Sequence, residues 1–171
     1  MTKADINLSQ GYFNKYIEIA PNLSVAEALT ASLAQLKELN VGQLLLIGNK
    51  TYQPGKWTIN DIFQHLVDVE RMFTYRVLLA ARKDSTIMFD FDEKYIADNS
   101  NARCRNLIDI LEELIAVRHS TILMFKSFDD ETMLTRGLNG KHEMPVAAFG
   151  YCIIGHQIWH LNIIKEKYLL P

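Results

Sequence analysis

A chain of 171 residues with 49% apolar side chains, 22% charged side chains and a net charge of −2 has the composition of an ordinary globular protein, long enough for one domain with a sizeable core spanning residues 1–171. There is no basic excess of the kind a nucleic-acid surface supplies, so nucleic acid is not an expected partner. No stretch of the roughly 20 residues that span a bilayer is apolar throughout, since the long uncharged run before Lys165 contains His156, Gln157, His160 and Asn162. Met1-Thr2-Lys3-Ala4-Asp5 lacks the apolar segment of a secretory signal, so the expectation is a cytoplasmic protein without membrane contact.

Residues 1–21, with Tyr12, Phe13, Tyr16 and Ile17, are expected to pack as an arm along the domain. Ser24-Val25-Ala26-Glu27 reads as a capping box and predicts a first helix running to about Ile47, ended by Gly48-Asn49. Pro54-Gly55 forms a turn, and Thr58 with Asp61 three residues on predicts a second helix to about Ala81 or Arg82. The connection from Lys83 to about Ser100 is long, aromatic and acidic, with Phe89-Asp90-Phe91-Asp92-Glu93 at its centre. Ser100 or Asn101 is the expected cap of a third helix, whose Leu107, Ile108, Leu111, Leu114, Ile115 and Ile122 follow the helical period to about Phe125. A short turn over Asp129 to Met133 and a Gly137-Leu138-Asn139-Gly140 turn lead to Pro145, expected in the first turn of a fourth helix that is apolar nearly all round. No run of alternating β-branched residues competes, so the fold class is all-α, a four-helix bundle with a long crossover between helices two and three.

His156 and His160 lie four residues apart in that last apolar stretch, about 40° from each other on one inward stripe, and can chelate one ion together. His65, on the shoulder of the second helix, can join them, giving a three-histidine site that leaves coordination positions open. Asp68 is the candidate acceptor for the second N–H of an imidazole, and Asp68 and Glu70 are the candidate proton-transfer residues. His119 is read as a shoulder histidine that can serve as a fourth ligand, His142 as a loop histidine, and Cys152 as a small buried residue or a soft ligand. Glu70 and Arg71 with Arg76 are weighed as orienting an anionic substrate against being solvated charges. Cys104 and Cys152, outside any C-x-x-C, are expected to be free thiols.

Pro54-Gly55-Lys56-Trp57-Thr58-Ile59-x-Asp61-Ile62-x-x-His65-Leu66-x-Asp68-x-Glu70-Arg71 resembles the second-helix signature of the DinB superfamily, especially its YfiT-like branch. Gly155-His156-x-x-Trp159-His160-x-x-Ile163-x-Lys165-Glu166-x-Tyr168-Leu169 is similar to that family's final-helix motif, and the likeness runs from about Tyr12 to Leu169. The resemblance implies an up-down-down-up bundle, a divalent cation on His65, His156 and His160, and frequent homodimers. It also implies activities that range from metal-dependent hydrolysis to the attachment of low-molecular-weight thiols, such as bacillithiol, to electrophiles.

The leading expectation is therefore a metal-dependent S-transferase, with zinc or nickel as the ion and a small thiol as co-substrate, because a cation favours the thiolate that attacks an electrophile. A metal-dependent hydrolase using hydroxide generated on the ion is the alternative. A third reading, from a different class, is a dimeric binding or scaffold protein whose metal only braces helices two and four.

Overall fold

A computed structural model describes residues 1–6, 11–84, 86 and 90–169 of the chain. After the N-terminal segment comes α1 (Asn14–Ile19), and α2 (Val25–Lys37) opens with the expected capping box. The Glu27 amide donates to Ser24 Oγ at 3.4 Å, and the Ser24 amide donates to the Glu27 carboxylate at 3.0 Å. The first long helix does not run unbroken to Ile47. Asn40 accepts from the Gln43 amide at 3.1 Å and starts a separate α3 (Val41–Ile47), an instance of a short amide side chain competing with the helix for backbone groups. Gly48 ends α3 at φ +58°, the left-handed position where glycine carries no steric penalty.

The second long helix, α4 (Ile59–Ala81), starts and stops where the sequence predicts. The Asp61 amide donates to Thr58 Oγ1 at 3.2 Å and the Thr58 amide to Asp61 Oδ2 at 2.8 Å, while Arg103 Nε reaches the same carboxylate oxygen at 3.0 Å. The long connection that follows contains α5 (Glu93–Asp98), capped by Asp92, and a short 3-10 turn at Ala102–Cys104; Phe89 lies outside the described residues. The next long helix, α6 (Leu107–Lys126), begins later than expected: Asn106 is its cap, and Ser100 and Asn101 instead lead into the 3-10 turn.

Asp129 caps α7 (Asp130–Leu134), and the expected turn beyond it proves to be a hairpin of β1 (Arg136–Asn139) and β2 (His142–Pro145). Asn139 pairs with His142 across a two-residue loop in which Gly140 has φ +60°. Strands this short carry too little alternation to be read from periodicity. Pro145 closes β2 and stands at the N-cap of α8 (Val146–Ile164), one residue before the helix rather than inside it; a π-helical turn, Lys165–Leu169, continues beyond.

Four long helices form the bundle, with α2 packed on α6 and α8, and α4 packed on the same two. Their apolar faces make two clusters. One includes Leu33, Val69, Phe73, Ile122 and Ile153, the other Leu36, Leu66, Val67, Leu114 and Ile164. A buried polar layer sits between them, with one contribution or more from every long helix. Arg118 Nε and Nη2 donate to the two Glu70 oxygens at 2.8 Å each, and the Thr121 hydroxyl donates to Glu70 at 2.7 Å. Arg118 also donates to Ser32 Oγ, and Gln157 Nε2 donates to the Ser32 carbonyl at 2.9 Å. Among the described residues no helix is long and apolar enough to cross a membrane.

Candidate metal centre

His65 lies in the second turn of α4, oriented by the Thr58–Asp61 cap below it, and His156 and His160 project from successive turns of α8. Since α4 and α8 pack side by side, the three rings meet in the bundle interior, and all three residues are buried. His65 Nε2 is 3.1 Å from His156 Nε2, and His160 Nε2 is 3.1 Å from the same atom. One nitrogen from each ring falls within 4.8 Å of the other two.

These rings are neutral at physiological pH. Burial, then the charge of His160, lowers the His65 pKa to about 3; burial, then Lys15, lowers that of His160 to about 4. His156 is held well below its ordinary value by burial, then by His160, His65, Lys15 and Arg118. A neutral imidazole has one N–H and one lone pair, so the single in-plane site of His156 Nε2 cannot hydrogen-bond to both neighbours. A divalent cation satisfies all three lone pairs at once. Three nitrogens at zinc–nitrogen distances of about 2.0–2.1 Å in tetrahedral arrangement stand about 3.3 Å from each other, close to the 3.1 Å contacts seen here. The donor set therefore fits a nitrogen-liking divalent ion. His160 Nδ1 is buried without a protein partner among the described residues, so the outer proton of that ring has no protein acceptor.

Aromatic side chains hold the rings in place. Trp57 lies 4.7 Å from His65 and stacks at 6.1 Å on His160, measured between ring centres, while Tyr16 of α1 meets His156 edge-on at 5.2 Å. The Lys15 ammonium sits over Tyr12 at 4.1 Å, Tyr16 at 4.7 Å and Trp159 at 5.5 Å, a cage beside the centre. His160 also forms part of the wall of a cavity of about 330 Å³, together with Trp57 and Tyr168.

Other expected site residues lie elsewhere. Asp68 is not behind His65: it accepts from Gln64 Nε2 at 2.9 Å, in a charge cluster with Arg71, Arg105 and Glu113, and burial raises its pKa despite that bond. Glu70 faces the bundle's polar layer, with both oxygens engaged by Arg118, and is not presented to the histidine rings. His119 is exposed on the outside of α6. His142 packs on Phe13 at 5.6 Å. Cys152 is buried in the apolar core, where burial raises its thiol pKa, and Cys104 is exposed; both are free. Arg71 pairs with Glu113 at 2.6 Å, and Arg76 is buried, bonded to Asn139 and stacked over Phe91 at 4.9 Å. Sequence reading assigned no site role to Trp57, Tyr16 or Lys15. The only local signal was the aromatic residue just before the α4 cap, since contact between α1 and α8 depends on tertiary packing.

No curated protein matches the chain. Among solved structures it is similar to YfiT from Bacillus subtilis, described as a probable metal-dependent hydrolase with an unusual four-helix bundle topology, at 18% identity over 94% of this chain and 87% of that one, with a TM-score of 0.66. That likeness establishes the shared bundle fold. The DinB superfamily signature matches residues 20–164, most of the chain, and the protein belongs to the DinB superfamily.

Proposed function

We propose that the protein is a metal-dependent S-transferase in which His65, His156 and His160 hold a divalent ion, zinc or nickel, and a low-molecular-weight thiol is the co-substrate. The observation that carries this reading is the convergence of three neutral imidazole nitrogens, two contacts at 3.1 Å, with one of the three rings, His160, on the wall of a cavity. When bound, such an ion lowers the pKa of a coordinated thiol or water and so supplies a nucleophile at neutral pH. A free thiol near pKa 8.5 needs a shift of only about 1.5 units to ionise at pH 7, whereas water needs about 9. Trp57 and Tyr16 fix the ring orientations. The thiol loses its proton to solvent, its sulfur forms a bond to the electrophilic carbon, and the leaving group departs with the bonding pair.

The description of YfiT supports a second reading, metal-dependent hydrolysis with water as nucleophile. Metal-loaded protein supplied with 1-chloro-2,4-dinitrobenzene, with and without bacillithiol or glutathione, separates the two when a p-nitrophenyl ester is assayed in parallel. Thiol-dependent consumption of the chloride that disappears in His65→Ala supports S-transfer. Ester turnover without thiol, and none of the chloride with it, overturns S-transfer in favour of hydrolysis. Inactivity in both assays with a full equivalent of metal favours a bracing role for the ion.

A further inference from the structure

The cavity beside His160 has a definite chemical character. Its walls are Tyr52, Trp57, Ile163 and Tyr168, and two ammonium groups, Lys56 and Lys94, belong to its lining. At about 330 Å³ it lies in the range of small-molecule sites. Its aromatic walls are fixed before any ligand arrives. The Tyr168 hydroxyl donates to the Trp57 carbonyl, Tyr168 meets Tyr52 edge-on at 5.3 Å, and Trp57 is held against His65 and His160. A flat apolar body entering such a slot loses little to reorganisation of the walls.

Charge at the rim runs against that of the whole molecule. The chain is net −2, yet this lining contains two lysines and no carboxylate. Lys56 is exposed and its ammonium stands 6.0 Å from the Tyr52 ring centre. Lys94 pairs with Asp98 one helical turn away; both side chains are well exposed, so the pair is weak and a ligand anion can replace its acidic member. Lys15, whose field reaches His156 and His160, adds positive potential on the α1 side of the centre. An organic cation would meet repulsion here, and a neutral molecule would gain less from the lysines than an anion does.

We propose that this cavity binds a small organic carboxylate with a flat, unsaturated body, the body lying between Trp57, Tyr52 and Tyr168, the carboxylate facing Lys56 and Lys94, and the far end presented to His160. The inference deepens the reading of the three-histidine centre as an enzyme site by naming the class of molecule brought to it, and rests on that reading for which end reacts. Binding itself does not need the ion.

The test is a titration of Trp57 fluorescence in a Trp159→Phe background, where Trp57 is the remaining tryptophan of the chain's two. Ligands are trans-cinnamate, the isosteric neutral trans-cinnamamide and cationic cinnamylamine, each added to chelator-treated and to zinc-loaded protein. In the metal-free protein cinnamate is expected to bind on the order of tenfold more tightly than the amide, with the amine weakest. Lys56→Gln with Lys94→Gln should abolish the preference while zinc stoichiometry and the denaturation midpoint stay as in the parent. Equal binding of acid and amide, no binding of either, or a preference that survives the double substitution overturns the proposal. The two readings fail separately: a cinnamate preference without zinc uptake sinks the metal centre and leaves the carboxylate site standing. Zinc uptake without the preference does the reverse.

Discussion

His156 Nε2 lies 3.1 Å from His65 Nε2 although 91 residues separate them in the chain, and the contact joins α8 to α4 across the bundle interior. Three buried, neutral rings on one point are satisfied together only by a shared cation, so each is needed for a closed set of donors. His65→Ala, His156→Ala and His160→Ala should each reduce bound metal to well below one equivalent by elemental analysis. Each variant leaves a cavity in place of a polar ring, so its metal-free form should keep a cooperative unfolding transition. Full occupancy in all three would contradict the assignment.

Glu70 and Arg118 are each 2% exposed at the side chain and joined by two 2.8 Å hydrogen bonds, so removal of one partner strands a buried charge. Glu70→Gln should destabilise the protein by about 3–5 kcal/mol in urea denaturation, while a double replacement by apolar residues of similar volume should cost far less. Because Glu70 makes no contact with the histidine rings among the described residues, folded Glu70→Gln should still bind one equivalent of zinc. Loss of metal with stability unchanged would restore Glu70 to the centre.

Features written within one turn of chain were legible in the sequence. The Ser24 and Thr58 caps act over three residues, and the i, i+4 spacing places His156 and His160 on one face without reference to the rest of the fold. His65 entered through its place on the shoulder of a helix that can adjoin the last one, and the family-like motif added to that, although nothing periodic in the intervening chain shows that its ring meets His156. Asn40 looked compatible with a continuing helix, and its side-chain bond to Gln43 decided otherwise. Asp68 and Glu70 were plausible proton carriers by type and spacing alone. Their partners, Gln64 on the same helix and Arg118 some 48 residues away, were fixed by packing that local reading does not reach. The same holds for Trp57 and Tyr16, whose contacts with the rings are purely tertiary.

Gly155 precedes His156 where α1 crosses α8, and a Cβ there would fall 1.8 Å from the Tyr16 carbonyl oxygen, a backbone atom that cannot swing aside. Gly155→Ala must therefore push α1 away from α8, at a cost of about 1–3 kcal/mol despite alanine's better helix propensity. Tyr16 would move with it, loosening the edge-on contact with His156. The expected outcome is a lower denaturation midpoint with weaker zinc binding. A variant as stable as its parent would mean that α1 does not pack here in solution.

The buried histidines also set how the protein responds to acid. Folding lowers the pKa of His65 to about 3, of His160 to about 4 and of His156 well below its ordinary value, while unfolded imidazoles titrate near 6.5. Between pH 6.5 and about 4 the unfolded chain therefore binds more protons than the folded one. Stability of the metal-free protein is full above that window and falls as pH drops through it, by up to about 1.4 kcal/mol per pH unit for each of the three rings. Native imidazoles meanwhile stay unprotonated and ready for a cation. Zinc affinity of the folded protein should thus change little between pH 7.5 and 5.5, whereas three ordinary histidines would lose roughly a thousandfold over that range. Urea denaturation across the window, paired with competitive zinc titrations at the two pH values, checks both halves. A thousandfold loss of affinity in protein that remains folded would show that the rings titrate as exposed groups and are not held neutral by burial.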